Sequence, residues 1–221
     1  MMTFKQDLLA QAERSKERFG PERFAIMEAE NAALTATFEA QPGLGVGDQA
    51  PGFVLPDALG GPVDLSDRLS KGPVVLNFYR GGWCPYCNIE LRAYQAALPR
   101  MGELGASLMA ISPQAPDEAL TNTEKNELSF DVLSDRGSSV AERFGIAFEL
   151  SDRLQEIYVG FGNDLAKKNA GDDWRLPVPA TFVIAPDGRI AFADVDADYR
   201  HRADPDQVIE ILENLRQAAP A

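Results

Sequence analysis

The chain holds two thiols and one imidazole, and the thiols stand two residues apart in Trp83-Cys84-Pro85-Tyr86-Cys87. Such a pair can cycle between dithiol and disulfide. One sulfur attacks as a thiolate; its partner then closes a disulfide and releases whatever the first had bound. Other uses fit less well. A structural cross-link over so short a loop removes little unfolded-state entropy. A zinc site wants four ligands, and from the histidines and cysteines only His201 could join the pair. Two inert cysteines that happen to be spaced this way are the remaining alternative. Hydrolysis of the Ser-His-Asp kind would have to recruit His201 from Asp198-Tyr199-Arg200-His201-Arg202. No metal and no cofactor is expected.

The elements around the thiols favour reactivity. The run Val74-Val75-Leu76-Asn77-Phe78-Tyr79, bounded by Gly72-Pro73 and Gly81-Gly82, reads as a strand covered on both faces. Residues 86–101 read as a helix with Ile89, Leu91, Tyr94, Ala97, Leu98 and Met101 apolar. The cysteines therefore fall where a strand hands over to a helix. The first helical turn leaves N–H groups unpaired and carries a partial positive charge, which stabilises thiolate over thiol. Cys84, at the helix start, is expected to be the more exposed and the more acidic sulfur. No Asp or Glu occurs from Arg68 to Ile89, in a chain with 34 carboxylates, while Lys71 and Arg80 lie inside that window.

Residues 3–40 read as a helix pair broken at Gly20-Pro21. Gly60-Gly61 turns a hairpin between Phe53-Val54-Leu55 and Val63-Asp64-Leu65. Further strands are expected at Ser107–Ile111 and Asp131–Val132–Leu133, and helices at Asp117–Leu128 and Ser138–Phe144. Residues 151–169 are helix-like but interrupted by Gly160 and Gly162. Pro186-Asp187-Gly188 joins strands at Ala180–Ile184 and Ile190–Val195, and Asp204-Pro205 opens a last helix. Buried strands alternating with helices specify an α/β fold with a central mixed sheet. The expected organisation is an N-terminal helical extension over 1–42 and one domain over 43–221. The extension suits packing on that domain or forming a homodimer.

Composition narrows the partners. With 21 Lys and Arg against 34 Asp and Glu, the net charge of -13 excludes nucleic acid as a natural partner. No stretch approaches the ~20 apolar residues of a membrane span, and the first residues meet charge too early for a signal peptide. A cytoplasmic protein with resting thiols reduced is expected.

At these residues the chain resembles the thioredoxin superfamily, and more closely the peroxiredoxin-like branch of the alkyl hydroperoxide reductase/thiol-specific antioxidant family. The resemblance covers about residues 45–200. It rests on Gly47-Asp48-Gln49-Ala50-Pro51-Gly52-Phe53-Val54-Leu55, Phe78-Tyr79-Arg80-Gly81-Gly82-Trp83-Cys84-Pro85-Tyr86-Cys87, Ile111-Ser112-Pro113-Gln114 and Pro177-Val178-Pro179-Ala180-Thr181-Phe182. It implies a thioredoxin fold and a thiol-dependent peroxidase reducing hydrogen peroxide or organic hydroperoxides, re-reduced by thioredoxin, glutaredoxin or glutathione. Peroxiredoxins carry a proline, three residues, a threonine, two residues and the peroxidatic cysteine. Here Arg80 stands at that proline, Cys84 at the threonine and Cys87 at the cysteine. By thioredoxin logic Cys84 is instead the nucleophile and Cys87 resolves, so the two analogies assign the sulfurs oppositely. The helix-start argument favours Cys84.

A peroxidase also needs a cation for the thiolate and the leaving oxygen. Arg80 is the candidate, its alternative being a surface residue capping the strand end; Arg200 and Arg202 are more distant alternatives. Trp83, Pro85 and Tyr86 would position substrate. So would Val178 and Pro179, through a cis Val178–Pro179 bond exposing backbone groups toward an extended peptide. Two other functions share these residues: a thioredoxin- or glutaredoxin-like protein disulfide oxidoreductase, and a redox-sensing module in which the disulfide changes binding by the 3–40 helices.

Overall fold

In the computed structural model, which describes residues 3–171 and 173–218, the chain runs through α1 (Phe4–Ala40), β1 (Val54–Pro56), β2 (Pro62–Asp64), α2 (Leu65–Leu69), β3 (Val74–Phe78), α3 (Pro85–Glu103), β4 (Ser107–Ser112) and α4 (Pro116–Lys125). It continues with β5 (Asp131–Ser134), α5 (Ser139–Arg143), β6 (Ala147–Glu149), α6 (Asp152–Gly160), α7 (Leu165–Lys168), β7 (Arg175–Pro177), β8 (Ala180–Ile184), β9 (Ile190–Val195) and α8 (Pro205–Ala218). The central sheet has the order β5-β4-β3-β8-β9. β3 pairs in parallel with β4 and antiparallel with β8, so the sheet is mixed, as expected for a thioredoxin fold.

β3 is buried along its whole length, and its alternation splits the core. Leu76 and Phe78 pack with Met109, Ile111 and Phe182 under the β1–β2 hairpin and α5, while Val75 packs with Val183, Tyr94 and Leu212 under α3 and α8. A strand covered on both faces has no solvent side, so apolar residues at successive positions are what it needs.

The N-terminal segment forms at Thr3, whose side chain and that of Gln6 make a reciprocal capping box. Its predicted break is real: Gly20 sits at φ 70°, outside the helical region, just before Pro21. Of its 37 residues only Ser15 and Met27 are buried. α1 thus lies across the body as a lightly anchored strap, Ser15 against α3 and Phe19 against Phe161, just past the end of α6.

Two small elements were not anticipated: α2, a single turn capped by Asp64, and the β6–β7 pair. The interrupted stretch 151–169 resolves into α6 and α7, separated at Phe161–Asp164. No described helix is long and apolar enough to cross a membrane.

Candidate active site

β3 ends at Phe78, the chain turns through Gly81-Gly82, and Cys84 becomes the N-cap of α3 with Pro85 in the first turn. The turn is tight. Gly81 adopts φ +141°, and a Cβ there would fall 2.5 Å from the Trp83 indole nitrogen; one on Gly82 would fall 2.8 Å from the Asn122 side chain. Glycine is required at both because side chains occupy the space. Polar side chains then lock the backbone. The Gly82 N–H donates to Gln114 Oε1 at 2.6 Å, and Asn88 Nδ2 donates to the carbonyls of Gly82 and Cys84 at 2.8 and 3.0 Å. Asn126 in turn donates to Asn88 and to Asn122.

Both thiols are free, and Cys84 is only 1% exposed and Cys87 0%. The expected exposure of Cys84 is therefore overturned. Trp83, Tyr86, Tyr199 and Leu8 of α1 pack in the same cluster as the two sulfurs, and the Tyr86 and Tyr199 rings meet edge to face. A helix start is exposed only where nothing crosses it, and here the strap does: the Tyr86 hydroxyl lies 3.4 Å from Ser15 Oγ. Pro85 remains exposed.

Burial alone would raise both thiol pKa values. For Cys84 that effect is outweighed by the hydrogen bond from Cys87 and the charges of Arg80 and Arg202, which bring it down to about 6. For Cys87 burial acts together with donation to Cys84 and the nearby Cys84 charge, and the thiol is pushed well up. The sulfurs are thus differentiated in the sense the helix-start argument favoured.

Arg80 is not a surface cap. It is 4% exposed, its guanidinium lies 4.7 to 5.6 Å from the ring centroids of Trp83, Tyr158 and Tyr199, and it donates to the Tyr158 hydroxyl. Arg202 corrects the expectation that it lies far off: Nη2 donates to Cys87 Sγ at 3.3 Å across a separation of 115 residues. Arg200 turns away, to Asp198 and to Glu28 of α1. His201 is on the surface beside Asp194.

Glu90 lies just past the carboxylate-free window and was missed. It pairs with Arg202 Nε at 2.7 Å, both side chains 1% exposed, and accepts from Asn77 Nδ2 at 2.9 Å. Burial pushes its carboxyl up to about 8 against the opposing pull of Arg202. Its signal was an acidic residue on the helix face of Cys87, one turn on. Nothing in the sequence joined it to Arg202, because the tail returns to the site only through the fold.

Val178 and Pro179 are buried at the β7–β8 junction. The expected cis bond is absent: no described peptide bond is cis. Nor are the backbone groups free, since the Val178 N–H donates to the Ile146 carbonyl at 2.7 Å. The partner is the residue just before β6, whose pairing with β7 was not foreseen, so this N–H is not available to a peptide. Among the described residues no cluster of three or more His, Cys, Asp or Glu side chains could hold a metal ion.

Comparison with known proteins places these features. The model of the AhpC/TSA family matches residues 46–193. The thiol-disulfide oxidoreductase ResA of Bacillus cereus is 27% identical over 154 residues, 69% of this chain and 71% of that protein. The putative peroxiredoxin bcp of Haemophilus influenzae is 37% identical over 103 residues, 47% of this chain and 66% of that protein. Among solved structures, Peroxidoxin BcpB from Mycobacterium tuberculosis superposes with a TM-score of 0.63 at 25% identity, covering 80% of this chain and 99% of that one.

Proposed function

Since the chain belongs to the AhpC/TSA family, we propose that it is a thiol-dependent peroxidase that reduces hydrogen peroxide or organic hydroperoxides through Cys84 and Cys87. The observation that carries this reading is a buried thiol pair beside two buried arginines, whose charges favour a thiolate at Cys84, in a site closed to bulky disulfides as it stands. The Cys84 thiolate attacks one peroxide oxygen; an S–O bond forms, the O–O bond breaks, and the alkoxide or hydroxide leaves and takes a proton. Arg80 offsets negative charge on the sulfur and on the departing oxygen. Cys87 then attacks the sulfenic sulfur, an S–S bond forms, and its proton leaves with the hydroxyl as water. Arg202, oriented by Glu90, stabilises Cys87 as it ionises. Trp83 and Tyr86 wall the sulfurs, Pro85 starts their helix, and Pro179 lines the cleft beside Arg80. An external thiol reductant (thioredoxin, glutaredoxin or two molecules of glutathione), itself oxidised to a disulfide, returns the pair to thiols once α1 yields, in a cytoplasmic setting. Stopped-flow mixing with both peroxides should give rate constants far above that of free cysteine; equality with free cysteine for both would refute the reading.

A second reading, disulfide oxidoreductase, is favoured by one observation: the acidic sulfur is Cys84 and not Cys87, the arrangement thioredoxin logic requires. Catalysed insulin reduction by dithiothreitol, faster than dithiothreitol alone, is its test.

A further inference from the structure

The strap is two helical halves that meet at a hinge. Gly20, at φ 70° and ψ 165°, lies outside the helical region, and Pro21 has no N–H to carry a hydrogen bond across the break. The halves are held differently. Residues 21–40 are fastened at several points: Met27 packs with Leu150, Tyr158 and Leu176, Glu28 pairs with Arg200 at 2.8 Å, and Leu34 and Phe38 pack on the sheet core. Residues 4–19 bury a single side chain, Ser15. Leu9 is 60% exposed, and with Phe4 and Lys5 it borders a groove of about 580 Å³ that Asp194, His201 and Gln207 also line. A segment with so few buried contacts belongs to the low-stability end of a fold and opens before the body does.

This loosely held half is the one over the sulfurs. Leu8 packs in the thiol cluster, and Ser15 Oγ lies 3.4 Å from the Tyr86 hydroxyl. Tyr86 is one of the two residues between the cysteines. The one buried side chain of residues 4–19 therefore rests on the redox loop itself. Disulfide formation disturbs that support. In the dithiol Cys87 donates a hydrogen bond to Cys84. A covalent bond then replaces it, which draws the sulfurs together and turns the residues between them. The step removes two electrons and one proton from a thiolate and a thiol. At 3.4 Å the contact between Tyr86 and Ser15 is near the limit for a hydrogen bond, so a small displacement breaks it.

We propose that residues 4–19 are a redox-operated lid and that Tyr86 works it. In the dithiol Tyr86 holds Ser15 and the lid is closed. Once Cys84 and Cys87 join, Tyr86 leaves Ser15 and the lid swings away about Gly20. A bulky thiol reductant is thereby admitted to the oxidised pair and kept from the reduced one, while hydrogen peroxide is small enough to reach the thiolate beneath the closed lid. The proposal rests on the dithiol–disulfide cycle, which the peroxidase and oxidoreductase readings share, and not on the choice between them.

Hydrogen exchange of the full chain, read by mass spectrometry on peptides from residues 4–19 and 22–40, tests it. One sample is reduced with dithiothreitol. The other is oxidised with diamide, which takes up the two electrons and two protons, one from the thiol and one from water. Residues 4–19 should exchange about tenfold faster or more in the oxidised protein, and residues 22–40 within about twofold of their reduced rate. Tyr86→Phe should make residues 4–19 exchange fast in both states. Ser15→Ala, which cuts the same contact from the lid and leaves the redox loop untouched, should do likewise. Equal protection of residues 4–19 in the two states, an equal rise in both halves, or a redox dependence that survives both substitutions would each overturn the proposal. Thiol titration of the oxidised sample separates these results from a failure of the cycle. With the disulfide present they refute the lid; with no disulfide formed the cycle falls, and the lid with it.

Discussion

At the residue scale, the two sulfurs are told apart by their surroundings. Burial raises the pKa of both, yet Cys84 receives a hydrogen bond and lies under two cationic charges, while Cys87 gives that bond away. Iodoacetamide alkylation, followed by mass spectrometry, should therefore modify Cys84 with a midpoint near the value of about 6 and leave Cys87 slow throughout. Arg80→Met should move that midpoint up by about 1 unit or more, since an opposite charge at close range typically supplies such a shift. Glu90 has a separate signature in stability. Its folded carboxyl keeps a proton up to about 8, whereas an unfolded one loses it near ~4.3. Between those values the native state holds the extra proton, so this group makes stability fall as pH rises. Cys84 acts oppositely: its folded pKa is depressed, so its contribution is present above ~8.5 and lost as pH falls through about 6. In Cys84→Ser, urea denaturation should show stability falling between about pH 5 and pH 8, by on the order of a few kcal/mol. Adding Glu90→Gln should flatten that slope. An unchanged slope would mean that Glu90 is already ionised in its pair with Arg202.

At the element scale, α1 governs access to the sulfurs, and weakly. It buries only Ser15 and Met27, and reaches the thiol cluster through Leu8. Met27→Ala should cost roughly 2 kcal/mol if the strap unfolds with the body. It should cost less in global stability if the strap detaches first. Combined with Ser15→Ala it should speed alkylation of Cys84 several-fold at neutral pH without moving the midpoint, because access changes and the arginines do not. The sequence showed α1, its Gly20 break, the sheet strands and the strand-to-helix junction, since each has either a strong hydrophobic period or a turn residue with one conformational use. It did not show β6 and β7. Ala147–Glu149 and Arg175–Pro177 are three residues each, too short for an alternation to register, and each is a strand only because the other lies beside it. The exposure of Cys84 was misjudged for a related reason: local sequence places a thiol at a helix start, but only tertiary packing decides what lies over it. Arg202 and Glu90 divide along the same line. Glu90 was one helical turn from Cys87, while Arg202 reaches it only because the tail after β9 folds back.

At the scale of the whole molecule, an acidic chain encloses a site where two cations face the Cys84 thiolate and Glu90. The chain carries a net charge of -13, while two arginines at most 6% exposed lie around the thiols. The outer charge acts on approach and is screened by salt over a Debye length of ~10 Å at 0.1 M. Contacts with the arginines are made only after burial, where salt penetrates little. These two fields should separate in kinetics. Hydrogen peroxide is neutral and should react at a rate that changes less than about twofold as salt is raised. The dianionic disulfide 5,5′-dithiobis(2-nitrobenzoate) must cross the repulsive outer field and reach Cys84 as α1 yields, so its rate should climb with ionic strength. Stopped-flow measurements of both reagents on one reduced sample, across a salt series, give the comparison. A dianion rate that instead falls with salt would mean that Arg80 and Arg202 project their field beyond the strap. The acidic composition would then not govern which oxidants and reductants this dithiol meets.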